Sequence, residues 1–395
     1  MSLHVIEEPA RAARGGFALW ALGFRPFYLL ASAFAALSIP LWALQVSGWL
    51  GHTYLAGPLW HAHEMLFGFA LAVIVGFLFT AGRNWTNQPT PTGAALAALA
   101  ALWLAARLLV LTPYGWLAAL ANVAFPLGAA IALAIPFVKA GNRRNYFFVG
   151  LLVLMAAACA AVHLAQLGVL ELPARRGLQT GLDVVLFVVS VMGGRVIPMF
   201  TNNGVRGAAA SRRPFVEQAA LGSVLLILVC DLSGVQGMPL AALALVGSAA
   251  HAARWLLWQP WKTLRVSLVW VLHLAYAWVP LHLLLRSLAE VGLVAASIAT
   301  HALTVGAIGG LVIGMMTRTA RGHTARPLRA DAFDTAAYAL VLLAALVRVG
   351  LAALLPQQAL AATLLSAALW SAGFGIYLVR YAPVLTRARL DGKPG

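Results

Sequence analysis

The chain has 395 residues, 62% of them hydrophobic and only 10% charged, with a mean hydropathy of +0.88. A water-facing surface needs about 25% charged residues, so lipid must be the main solvent and a set of soluble domains is excluded. The net charge of +16 does not point to nucleic acid. No run of five or six basic residues appears, and basic residues on a membrane protein usually mark topology.

In chain order, residues 1–23 read as a cytoplasmic N-terminal segment. Glu7, Glu8 and Pro9 precede Arg11 and Arg14, which is not the pattern of a secretory signal. Apolar windows then predict helical spans at 24–46, 58–81, 93–112, 115–138, 146–168, 177–200, 215–234, 238–258, 266–288, 292–316, 332–354 and 358–380. A cytoplasmic tail, 381–395, follows. The expected fold is an all-α integral membrane protein, a single bundle of about twelve transmembrane helices over 24–380 with both termini cytoplasmic. The charge distribution agrees: of the 27 basic residues, only Arg107, Arg175, Arg176, Arg286 and Arg348 fall on the outer side. Cys159 and Cys230 lie in apolar runs and form no disulfide framework.

Ten histidines occur, most of them inside the predicted spans. An ionisable side chain in hydrocarbon is costly unless it faces a partner, a cavity or a cofactor. Imidazole is also a ligand of haem iron and copper. By depth, His61, His63, His163 and His301 fall in the outer half of the bundle and can share a site. His251 and His273 lie at matching depth near the inner face and can form a second pair. His61 and His63, two residues apart, point about 200° away from each other on a helix. They therefore suit two sites on opposite sides of one helix better than a single chelate. Glu64 beside them is an intramembrane carboxylate, read as an acceptor for an imidazole N–H or as a proton donor; a plain buried hydrogen bond is the alternative. Met155, Cys159 and His163 recur every four residues on one helix face, a soft-donor set suited to Cu(I), although Met and Cys at that spacing also make ordinary core. Arg195 lies within its span and must find an acceptor; a haem propionate or a proton entrance is the functional reading.

Several stretches resemble the NnrS family of haem- and copper-containing membrane proteins. They are Gly23-Phe-Arg-Pro-Phe27, Trp60-His-Ala-His-Glu-Met-Leu-Phe-Gly-Phe69, Gly194-Arg-Val-Ile-Pro-Met-Phe-Thr-Asn-Asn203, His251 with Arg254, His273-Leu-Ala-Tyr-Ala-Trp278, and His301-Ala-Leu-Thr-Val-Gly306 continuing to Gly322-His-Thr324. One departure is Ala325, where the family pattern leads us to expect glycine. The resemblance implies a multi-pass protein of the bacterial cytoplasmic (inner) membrane that carries haem b and copper and acts in nitric oxide metabolism and resistance to nitrosative stress. The ligand assignments are our own reading of the residues: His61, His63, His251, His273, His301 and Arg195 for a cofactor, and His61, His63, His163 and His301 for a metal. Glu64 would supply protons. Nitric oxide is then the ligand or, for a haem-dependent nitric oxide reductase, the substrate, with an electron donor still to be named. A twelve-helix secondary transporter and a haem or copper carrier for oxidase assembly are the rival readings.

Overall fold

A computed structural model describes residues 16–46, 49 and 54–393. The first fifteen residues and most of the 47–57 connection lie outside the described residues. Among the described residues there is no strand, only an isolated bridge from Phe17 to Arg387.

The helices are α1 Phe24–Val46, α2 Gly57–Thr86, α3 Gly93–Leu109, α4 Gly115–Lys139, α5 Phe147–Gln166, α6 Ala174–Gly204, α7 Pro214–Ser233, α8 Met238–Leu257, α9 Ser267–Glu290, α10 Ala296–His323, α11 Ala332–Leu354 and α12 Ala359–Thr386. Eleven are long and apolar enough to cross a membrane; α3, with 17 residues, is shorter. At 1.5 Å per residue α3 spans about 25 Å, against roughly 30 Å of hydrocarbon. The apolar windows underestimate several lengths. α2 runs on to Thr86 and α6 to Gly204 because hydropathy marks contact with lipid, whereas polar residues such as Asn84 and Asn202 continue the helix where the chain leaves it.

Successive helices pack side by side, and α1 closes the bundle against α12. α2 is the central helix: 78% of its apolar window is buried, against 28% for α7. The two described chain ends meet at one end of the bundle, where Ala18 N–H donates to the Thr386 carbonyl (2.7 Å) and the buried Arg25 guanidinium donates to the Leu385 carbonyl (3.0 Å). We call this the terminal end.

Three helices contain a π turn, with one extra residue per turn: Glu64–Ala70 in α2, Ala302–Gly309 in α10 and Leu346–Leu351 in α11. Such turns concentrate at functional sites. The first begins just after His63 and the second just after His301. Glycine lets neighbours approach each of these two: a methyl at Gly68 would lie 2.6 Å from the Arg107 guanidinium, and one at Gly306 would collide with the Trp278 indole. Past α10, Ala325 has φ +58°, the left-handed region that favours glycine.

Candidate metal and cofactor centres

The π turn of α2 opens a polar cluster in an otherwise apolar core. His63 and Glu64 are fully buried, and His63 Nδ1–H donates to Glu64 Oε1 at 2.8 Å. The same oxygen accepts from Arg107 of α3 at 2.6 Å. Arg107 also bonds Asn122 Oδ1 of α4, while Asn122 Nδ2 donates to the Ala118 carbonyl. Glu64 Oε2 is buried and has no partner. Charge counting places Arg107, within the predicted span 93–112, on the outer side as a topology marker; in the structure it is a buried counter-ion in the last turn of α3, which packs against Gly68 of α2.

With Nδ1–H committed to Glu64, His63 Nε2 carries a lone pair. It lies 3.1 Å from His163 Nε2 and 3.8 Å from Cys159 Sγ, both buried on one face of α5. The three donor atoms all fall within 4.8 Å of one another. Metal–nitrogen bonds of about 2.0 Å and metal–sulfur bonds of about 2.3 Å bring donors on one ion to within about 4 Å of each other. His63 Nε2 lies within that reach of both His163 Nε2 and Cys159 Sγ, and the His₂Cys set suits copper.

Tyr54, ahead of α2, couples its hydroxyl to the tautomer of His163. Its hydroxyl lies 3.2 Å from both His163 Nδ1 and the His163 carbonyl oxygen. When the phenol donates to the carbonyl, His163 Nδ1–H donates to the phenol, and Nε2 turns its lone pair toward that of His63. A cation between them relieves this opposition. When the phenol donates to Nδ1, an N–H···N bond closes the pair instead. Burial pushes the Tyr54 hydroxyl up to about 12, so it remains protonated at neutral pH.

His61 lies on another side of α2. With His301 it lines a cavity of about 450 Å³ whose other walls include Leu66, Phe69, Val305 and Trp370. That volume falls in the range of cofactor pockets, roughly 300–1,000 Å³. His61 Nδ1 is buried and unpartnered, and its ring lies 4.8 Å from that of Trp42. His301 Nδ1–H donates to the Ser297 carbonyl at 2.6 Å, which leaves Nε2 as a free donor of electrons. Arg348, in the π turn of α11, is the charged residue of the lining. An apolar cavity with two ligand-ready imidazoles and one cation fits a haem with its propionates.

The four histidines expected in one outer-half site are thus divided between two neighbouring centres. The expected inner pair does not form a chelate. His251 has both nitrogens engaged, with Nε2–H donating to the Ala220 carbonyl (3.0 Å) and Nδ1 accepting from Tyr276 (2.7 Å). His273 turns to α6 instead, donating Nε2–H to Thr201 Oγ1 at 2.7 Å. Arg195 donates to Asn145 Oδ1 (2.9 Å) and sits 5.6–5.7 Å from the rings of Trp85, Phe147 and Phe148. It does not line the cavity; Arg348 does. Arg107, Tyr54 and Asn122 were not legible as site residues. The one signal was a lone arginine following Trp103 in an apolar helix, and charge counting reads such a residue as a topology marker.

Bundle and centres together define a polytopic α-helical membrane protein with two adjoining histidine sites. The family model described as NnrS protein matches residues 18–389, and the chain belongs to the NnrS family. No curated protein matches it. Family membership suggests a role in nitric oxide response and an association with metal or haem.

Proposed function

We propose that the chain is a haem- and copper-binding protein of the bacterial cytoplasmic membrane that binds nitric oxide and, given electrons, reduces it. The carrying observation is the start of α2, which presents His61 to a cavity shared with His301 and His63 to a cluster with Cys159 and His163. His61 and His301 would hold haem, with Arg348 pairing a propionate. His63, Cys159 and His163 would hold copper. Bound iron and copper supply affinity for nitric oxide and the redox chemistry for its reduction.

The chain's own residues do the rest. The cavity wall is mostly apolar, so a small uncharged gas can enter from lipid without a polar channel. Glu64 fixes the His63 ring through Nδ1–H, and Arg107 holds Glu64 in place. A carboxylate on the second nitrogen of a ligating histidine orients the ring and raises its basicity. Glu64 Oε2, buried and unpartnered, is the atom that would carry a proton. The excess of basic residues on one set of connections supports a cytoplasmic location for both termini.

Purified protein from cells supplied with haem and copper should show a Soret band and bound copper. Absence of the band overturns the haem assignment, and absence of copper overturns the second centre. Anaerobic nitric oxide consumption with an artificial reductant then separates reductase from binder.

A further inference from the structure

At the end of the bundle opposite the terminal end, three carboxyl groups gather around one cation. Asp231, in the last turn of α7, accepts from Arg286 of α9 at 2.7 Å, and Arg286 also donates to Glu290 at 3.2 Å. The third carboxyl belongs to Asp183, about 13 Å along α6 from Ala174. It is 2% exposed. Its Oδ1 accepts from Gln179, an uncharged partner, at 2.9 Å, and no ion pair reaches it among the described residues. α2 and α5 meet this stretch of α6 with the apolar side chains of Leu66, Phe67 and Val162.

A carboxylate so enclosed is costly unless a counter-charge neutralises it, and Arg286 already serves Asp231 and Glu290. The polar neighbour of Asp183 on α7 is Asp231 itself, within hydrogen-bonding reach. On each aspartate the second oxygen, Oδ2, is buried and has no partner. Two carboxylates only accept and cannot bond each other, whereas a protonated carboxyl donates. One proton therefore gives both Oδ2 atoms a partner and removes the uncompensated charge. A metal ion suits the place less well. Among the described residues only His63, Cys159 and His163 gather three donor atoms within 4.8 Å, so Asp183, Asp231 and Glu290 do not enclose an ion.

We propose that Asp183 and Asp231 share one proton and form a proton-holding site in the outer half of the bundle, exchanging with outer water through Asp231. On release the Asp183 O–H bond breaks, and the proton passes to Asp231 and then to water. Asp231 is the more accessible of the two, with its side chain 9% exposed at the helix end. Leu182, next to Asp183, lines the larger cavity, so the proton is held behind that wall. The site stands whether or not the cavity carries haem.

The test is infrared spectroscopy of the full-length protein in nanodiscs, with carbon-13 in the aspartate carboxyls so that the six glutamates, Glu64 included, stay silent. At pH 7 a carboxylic C=O band, which carboxylates lack, should shift with the label and in D₂O and integrate to one acid per chain. Asp183→Asn should remove it without lowering the unfolding temperature, because the amide N–H replaces the O–H toward Asp231. Asp231→Asn should keep the acid, move its band and slow its exchange in D₂O at least tenfold. If Asp183→Asn fails to fold, the label and Asp231→Asn decide. Absence of the labelled band, its survival in Asp183→Asn, or no response to Asp231→Asn overturns the proposal. So does its loss on adding sodium chloride at fixed pH, which would mark a metal cation as the occupant.

Discussion

Two regions of the bundle bury an arginine and a histidine beside a glutamate, and they differ in how the histidine ends. Around His63, Arg107 and His63 share one Glu64 oxygen, and the far ring nitrogen faces a second imidazole and a thiol. Around His251, Arg254 grips Glu217 through two bonds, at 2.9 and 2.6 Å, and donates to Tyr276 at 2.9 Å. Tyr276 reaches one nitrogen of His251, and the Ala220 carbonyl closes the other. The same residue types therefore build a ligand in one place and a strut in the other. What separates them is the fate of the second nitrogen: a lone pair left free can bind a metal, whereas an N–H spent on a carbonyl cannot.

The largest expected effects split the centres. His63→Ala should remove copper and keep the Soret band, whereas His61→Ala should do the reverse and His251→Asn should change neither; metal analysis and reduced-minus-oxidised spectra read all three. If His251→Asn loses haem or copper, the distinction between ligand and strut fails. Next come the arginines. Arg107→Met leaves the buried Glu64 carboxylate uncompensated and should cost about 3–5 kcal/mol in denaturant unfolding while lowering copper content; Arg254→Met, whose partner Glu217 is partly exposed, should cost less and leave copper unchanged.

The tyrosines give a finer comparison. Tyr54→Phe should weaken copper binding by about 10–100-fold, the usual loss when a partner of a ligating histidine is removed. Tyr276→Phe should cost about 1–3 kcal/mol of stability through two unpaired groups and leave copper affinity unchanged. Two smaller effects serve as controls outside both regions. Ala325→Gly should raise stability by up to about 1–2 kcal/mol, relieving the left-handed backbone, with spectra unchanged. Burial acts to raise the Asp331 carboxyl, but the Asp334 N–H, Arg380 and Arg321 outweigh it and hold the group below the ordinary carboxylate value. A carboxyl depressed by folding stabilises above its unfolded value and loses that contribution as pH falls. Thermal melts of the wild type and Asp331→Asn should therefore differ at pH 7 and converge in acid.

Much of this was legible before any coordinates. The apolar windows located each helix, the two-residue spacing of His61 and His63 anticipated that their rings face different sides of one helix, and the four-residue recurrence of Cys159 and His163 anticipated their common face. The glycine expected at 325 matches a backbone angle that favours glycine. What failed depended on partners from distant helices. Depth alone paired His251 with His273, but the Ala220 carbonyl on α7 and Thr201 on α6 draw them apart. Charge counting treated Arg107 and Arg348 alike as topology markers. Only packing shows that one neutralises Glu64 and the other faces the cavity.

The π turns that follow His63 and His301 bear on how such a protein changes over time. One inserted residue is absorbed within a single turn, so the segment before it rotates about 100° relative to the segment after it. Histidines at the head of α2 and α10 can thus be re-aimed by a one-codon insertion or deletion while the lower halves, packed through Gly76 against Phe27 and Gly310 against Ala275, keep their register. In this bundle the scaffold and the ligand geometry are separate inheritances.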